Sequence, residues 1–212
     1  MLLREKIVLI SDGHAILGCS NLTGRFWIGS LWYYRNPSDA PSVEKSLTGV
    51  DFDNGLVEGF FLDNKTMIVA LDNGGVETVK LSFSDEDTLE NSFFYLERCR
   101  SVQEHDDLIT SLVSSPDKLI TCSYDRSVVV LEKESLKLVS KINEAHDDLI
   151  SNMAVNPGNF DLIGTASNDG TVQLWDLRQC ETSQSCKSHQ FFNFKNLTFF
   201  SSNFFVDFRH LR

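Results

Sequence analysis

At 212 residues with 42% hydrophobic content, the chain can bury one sizeable core without needing a second independent domain. Its 19 Lys and Arg against 30 Asp and Glu leave a formal charge of −11, which repels nucleic-acid phosphates and anionic bilayers and attracts basic protein segments, so neither nucleic acid nor a membrane is expected as a direct partner. The cysteines Cys19, Cys99, Cys122, Cys180 and Cys186 are odd in number and lack C-x-x-C spacing, which argues against a disulfide framework and a zinc site and for a reducing compartment.

At the start of the chain, Arg4, Glu5 and Lys6 interrupt the apolar residues before Ile10, so no secretory signal is expected, and no run approaches a membrane span. The N-x-T triplets at Asn21, Asn64 and Asn196 then read as chance. A first unit spans 7–37, with Ala15 to Ser20 and Gly29 to Tyr34 as strands flanking an unusually long connection, Asn21 to Ile28. Within it Phe26, Trp27 and Ile28 follow Arg25 among turn formers. Periodicity leaves two readings open: apolar surface standing at a rim as an interface anchor, or residues that start the third strand and pack inside.

A second unit, 47–100, holds runs from Leu62 to Leu71 and Val76 to Leu81 about the turn Asp72-Asn73-Gly74-Gly75. The third, 102–143, reads as four short strands: Leu108 to Val113, Leu119 to Ser123, Ser127 to Leu131 and Leu136 to Ile142. In the fourth, 144–187, the turn Asn168-Asp169-Gly170 separates Leu162 to Ser167 from Thr171 to Trp175, as a tight hairpin requires. His105-Asp106-Asp107-Leu108-Ile109 returns as His146-Asp147-Asp148-Leu149-Ile150, Pro116 as Pro157, and Leu119 to Asp125 as Ile163 to Asp169. The period is close to the ~40–45 residues of a four-stranded propeller blade.

Ser167-Asn168-Asp169-Gly170-Thr171-Val172-Gln173-Leu174-Trp175-Asp176, preceded by His146, resembles the closing signature of a WD repeat. The resemblance implies an all-β WD-repeat β-propeller with a hydrogen-bonded tetrad, in which Asp169 holds His146, His146 meets Ser167, and Ser167 meets the Trp175 indole. His105, Ser123 and Asp125 repeat it in part, with Leu131 at the Trp position. His, Ser and Asp could be mistaken for a catalytic triad, but the Trp partner marks a structural network of mutually satisfied buried groups.

The stretch from Ser11 to Trp32 resembles the first blade of the methylosome WD-repeat subunit family, and Asn36-Pro37, Ala40-Pro41, Ala70 to Glu77 and Glu104 to Asp107 continue the likeness in order. That likeness implies a non-catalytic scaffold for the type II protein arginine methyltransferase, which dimethylates Sm proteins and histones symmetrically. It implies further that the first-blade loop docks the enzyme through Arg25, Phe26 and Trp27, with Trp27 as anchor, and that the complex works in cytoplasm and nucleus. The acidic surface would draw Arg-rich substrates. The likeness runs over about 7–180, four units against the family's seven, so a C-terminally truncated ring is expected. Residues 188–212 hold eight of the chain's 16 phenylalanines; they are expected to be irregular, or to lend one irregular strand that seals the last blade's edge.

Two other function classes are weighed. Trp175-Asp176-Leu177-Arg178 matches the W-D-x-R pattern of cullin ubiquitin ligase substrate receptors, although WD repeats also carry Arg there for packing. An enzyme is not expected: the chain lacks a phosphate loop, H-E-x-x-H, G-x-S-x-G and any metal-spaced His or Cys cluster, so no cofactor and no metal is foreseen. The pairs Asp106-Asp107 and Asp147-Asp148 recur at equivalent repeat positions, which suits turns, since an active site would be built once.

Overall fold

The short apolar runs and the turn residues between them set up a series of antiparallel meanders, because each turn reverses the chain and the next run pairs with the last. The computed structural model describes residues 4–9, 13–23, 26–84, 93–180 and 191–193, of which 4–9, 22–23, 26–27, 179–180 and 191–193 are described by their backbone alone. The chain divides into two compact units, 1–103 and 104–212.

In the first unit, β1 (Arg4–Leu9), β2 (Ala15–Thr23), β3 (Phe26–Tyr34) and β4 (Thr48–Phe52) form one four-stranded sheet in chain order. A second is built from β5 (Leu56–Phe61), β6 (Thr66–Leu71), β7 (Gly75–Phe83) and β8 (Phe94–Gln103). Asp63 makes the β5–β6 turn by accepting the Lys65 and Thr66 amides, both at 2.7 Å. In the β6–β7 turn Gly74 takes φ 87°, which a side chain would strain. Ile16, Tyr33 and Phe52 from the first sheet pack with Met67, Val69 and Val79 from the second.

Thr48–Phe52, expected within the second unit, instead pairs with β3 from Tyr33↔Thr48 to Gly29↔Phe52 and closes the first sheet. The 3-10 turns Pro37–Asp39 and Val43–Lys45 bend the connection back alongside β3. The long connection of this sheet therefore lies between its third and fourth strands. Asn21 to Ile28 is a continuation of the β2–β3 hairpin, paired as far as Thr23↔Phe26, so Phe26 starts the third strand.

In the second unit, β9 (Ile109–Ser114), β10 (Lys118–Ser123), β11 (Val128–Glu132) and β12 (Leu138–Ile142) form one sheet, each within two residues of its expected start and end. The other consists of β13 (Ile150–Asn156), β14 (Asn159–Ser167), β15 (Thr171–Asp176) and β16 (Phe191–Asn193). The two face each other across Ile120, Cys122 and Val130 on one side and Ile150, Met153 and Ile163 on the other. From the Phe-rich segment, Phe191–Asn193 pairs with Thr171–Gln173 as the fourth strand of the last sheet; residues 194–212 lie outside the described residues.

Candidate functional site

Two features of the fold carry the residues singled out from the sequence: a buried polar network in each sheet of the second unit, and the hairpin at the end of the first sheet. In the last sheet a directional chain of hydrogen bonds runs through side chains. The buried Trp175 Nε1–H donates to Thr165 Oγ1 at 2.9 Å, and Thr165 Oγ1 lies 2.8 Å from His146 Nε2. His146 Nδ1 in turn lies 3.1 Å from Asp169. Because the indole can only donate, the satisfied arrangement has the Thr165 hydroxyl donating to Nε2 and Nδ1–H donating to Asp169, which requires a neutral imidazole.

Asp169 also accepts the Thr171 amide at 2.7 Å, the Thr171 hydroxyl at 2.6 Å and the Asp147 amide at 3.1 Å. Burial alone would push its carboxyl up, but the two bonds from Thr171, the field of His146 and the Asp147 amide outweigh it and hold the pKa below the ordinary value. His146 is shifted downward, chiefly by burial, against the opposing pull of Asp169.

The hydroxyl in this network belongs to Thr165, and the expected Ser167 sits elsewhere. Both residues lie on one face of β14, but the last β14–β15 pair is Ala166↔Val172, so Ser167 is already at the turn, beyond reach of the indole. There its hydroxyl donates to the Asp148 carbonyl at 3.0 Å and accepts the Asp169 amide at 3.1 Å. The preceding sheet repeats the correction: His105 meets Asp125 at 3.0 Å and Thr121 at 2.8 Å, while Ser123 donates to the Asp107 carbonyl at 2.9 Å. Leu131, buried, fills the Trp position. Asp125 is held well below the carboxylate range: burial opposes this, and the bonds from His105, Ser127 and the Asp106 amide overcome it. A threonine four residues before the turn aspartate in both repeats is the signal that finds this residue.

The order Asp169, His146, Thr165 mimics a nucleophile triad, yet Thr165 is 0% exposed and its oxygen already serves the indole and the imidazole. The network is structural chemistry, and it is pH-sensitive. Folded pKa values below the unfolded ones mean that the unfolded chain binds more protons, so stability rises with pH. The His146 contribution is lost as pH falls below about 6.5, and those of Asp125 and Asp169 as pH falls below about 3.8. The melting temperature should therefore decline from pH 7 to pH 5 and more steeply below pH 4. A thermal scan flat from pH 7 to pH 5 would contradict the neutral-imidazole network.

The paired aspartates serve turns as well. Asp107 accepts the Leu108 amide and Asp148 the Leu149 amide, both at 2.7 Å. Arg178, of the W-D-x-R pattern, forks onto its own Asp176 at 2.8 and 2.5 Å. The second sheet lacks the network: Asn73 stands at the turn-aspartate position and accepts the Gly75 amide at 3.0 Å, while Val69 and Val79, both buried, replace the hydroxyl and the indole. In its place Glu77, 4% exposed, takes a fork from Arg98, whose Nε and Nη2 each donate at 2.8 Å. The Arg98 guanidinium lies 5.0 Å from the Phe52 ring centroid. The sequence reading did not identify this pair.

At the far end of the first sheet, the described pairing of β1 with β2 runs to Arg4↔Ser20, residues 1–3 lying outside the described residues, and β4 pairs with β3 as far as Gly29↔Phe52. The pairs Asn21↔Ile28, Leu22↔Trp27 and Thr23↔Phe26 continue past the last row of β4, and among the described residues β2 and β3 alone form this ribbon. Its reach is roughly 10 Å at strand rise. Trp27 and Phe26 lie on this ribbon by their backbone, Ile28 at its root is 38% exposed, and Arg25 lies outside the described residues. Among the described residues no cluster of His, Cys, Asp and Glu could hold a metal ion.

Comparison with known proteins agrees with this geometry. The WD domain, G-beta repeat family matches residues 96–131 and 137–176. Methylosome protein WDR77 of Xenopus laevis is 31% identical over 170 residues, 79% of this chain and 48% of that protein. WD repeat-containing protein 55 homologs match shorter stretches: that of Drosophila erecta is 45% identical over 28% of this chain and 12% of its own length, and that of Drosophila virilis 30% identical over 56% and 22%. The chain thus spans about half the length of the WDR77 relative and less of the others. With matched repeats, four-stranded meanders and a His–Asp–Thr–Trp network in place, the chain is an all-β WD-repeat protein of the β-propeller class.

Proposed function

We propose that this chain is a non-catalytic scaffold in a methylosome-type complex, docking a type II protein arginine methyltransferase through the ribbon at the end of its first sheet. The observation that carries this reading is the ribbon itself, a paired β-extension that runs three pairs past the end of β4 and bears Phe26 and Trp27. The similarity to a methylosome protein supports it. A ribbon suits docking because its backbone is ordered before contact, which lowers the entropy lost on binding. On this reading Trp27 is the anchor in an apolar pocket of the enzyme, with Arg25 and Phe26 beside it. The net charge of −11 draws Arg-rich substrates such as Sm proteins and histones toward the catalytic subunit. The complex would act in both cytoplasm and nucleus. Arg178 is accounted for by its own Asp176, so the W-D-x-R pattern needs no ligase adaptor to explain it.

Size-exclusion chromatography of the chain with the methyltransferase of the same organism tests the proposal. A stoichiometric complex is expected, and Trp27→Ala should weaken it by about 2 kcal/mol or more, roughly thirtyfold in Kd. A folded wild-type chain that elutes apart from the enzyme would rule the docking role out.

A further inference from the structure

The row Arg4–Ser20–Gly29–Phe52 is the last in which the first sheet is four strands wide, and the ribbon rises from it. A short β-extension is marginal in isolation, so its direction is set at its root. Two side-chain positions there are used in a particular way. Ser20, 4% exposed, donates its hydroxyl to the Leu56 carbonyl at 2.7 Å and accepts the Leu56 amide at 2.8 Å, so one oxygen ties the ribbon root to the first residue of β5. Opposite it, buried Gly29 lets the Asn54–Leu56 backbone approach closely: a Cβ at this position would lie 2.6 Å from the Asn54 carbonyl oxygen and 2.7 Å from Leu56 Cγ. Backbone on one side of that contact has nowhere to retreat, so any side chain at 29 must move β3 away from Asn54.

We propose that Ser20 and Gly29 are positioning residues for the docking ribbon: together they clamp its root to the chain entering β5 and thereby aim Trp27. The inference rests on the docking reading for its consequence but not for its geometry. A displacement at the root is carried to the tip three residue pairs away, and a pocket that receives an indole tolerates little misplacement.

Two measurements on the full chain test the clamp, and they separate its failure from that of the docking reading. Without any partner, hydrogen exchange of the Asn21 and Ile28 amides should accelerate about tenfold in Ser20→Ala, while amides of Ile16 and Leu31, lower in the same sheet, keep their protection; Ser20→Thr, which retains the hydroxyl, should restore wild-type exchange. Ribbon exchange unchanged in Ser20→Ala, or accelerated equally throughout the sheet, overturns the clamp whether or not the enzyme binds. With the methyltransferase, Ser20→Ala and Gly29→Ala should each weaken binding about tenfold or more, and neither should weaken it much further once Trp27 is already Ala, because both act through that residue. Additive losses overturn the positioning role, and wild-type failure to bind overturns only the docking reading.

Discussion

Asp169→Ala is expected to lower the stability of the folded chain by about 3 kcal/mol, since each buried donor left without an acceptor costs roughly 1–3 kcal/mol. The carboxylate accepts from His146 Nδ1, the Asp147 and Thr171 amides and the Thr171 hydroxyl, and alanine replaces none of these bonds. His146 is 3% exposed, so water reaches its freed N–H poorly, whereas the turn amides recover part of their loss. Asp169→Asn should cost less, because an amide oxygen can still accept the amide two residues on, as Asn73 does from Gly75. Thr165→Val should approach the alanine variant in effect, since it strips the partner of both the imidazole and the indole. Urea midpoints at pH 7 measure all three. A stability loss under about 1 kcal/mol for Asp169→Ala would mean the network is decorative, against the 5–15 kcal/mol that typically holds a domain folded.

The second large effect is expected in the first unit. Arg98→Ala should destabilise it by about 2–3 kcal/mol, because removing one partner of a buried ion pair strands the other charge, at a typical cost of 3–5 kcal/mol. The lower figure applies here because the Arg98 side chain is 39% exposed and solvent screens it in part. The same change removes the guanidinium from the Phe52 ring. Arg98→Lys should fall between, since a point charge cannot reproduce the two-pronged bond to Glu77. The informative variant is the double replacement Glu77→Val with Arg98→Leu, which removes both charges at once. Val129 stands buried at the corresponding strand position of the third sheet, so an apolar residue suits that place in the repeat. Near wild-type stability of the double variant, with a weak Arg98→Ala, is the expected signature. A double variant as damaged as the single one would show that the pair contributes net stability beyond mutual neutralisation.

The two units differ in how they hold their sheets, and the difference was partly legible in the residues. Where His105 and His146 recur with their turn aspartates, the strands read from the sequence, all four of the third sheet and the β14–β15 hairpin of the last, match those formed, because local propensity, turn chemistry and repeat spacing agree there. Where the repeat signature fades, before Glu104, strand boundaries were harder to read. Thr48–Phe52 was expected within the second unit, and nothing local says that its partner is the strand before it. The Glu77–Arg98 pair is likewise invisible locally, since the two residues lie 21 apart and meet only through the β7–β8 register.

The amino-acid order by itself determined the repeat period, the turn positions and the all-β class, since these depend on contacts within a few residues or on recurrence along the chain. Which hydroxyl joins His146 to Trp175, which sheet takes Thr48–Phe52, and how far the β2–β3 hairpin runs past β4 were decided by tertiary structure alone. Thr165 and Ser167 share a strand face and a chemistry, and only the depth of the indole along β14 separates them. The ribbon, for its part, projects past β4 because that strand's pairing ends at Gly29, a property of the neighbouring strand and not of the residues that project.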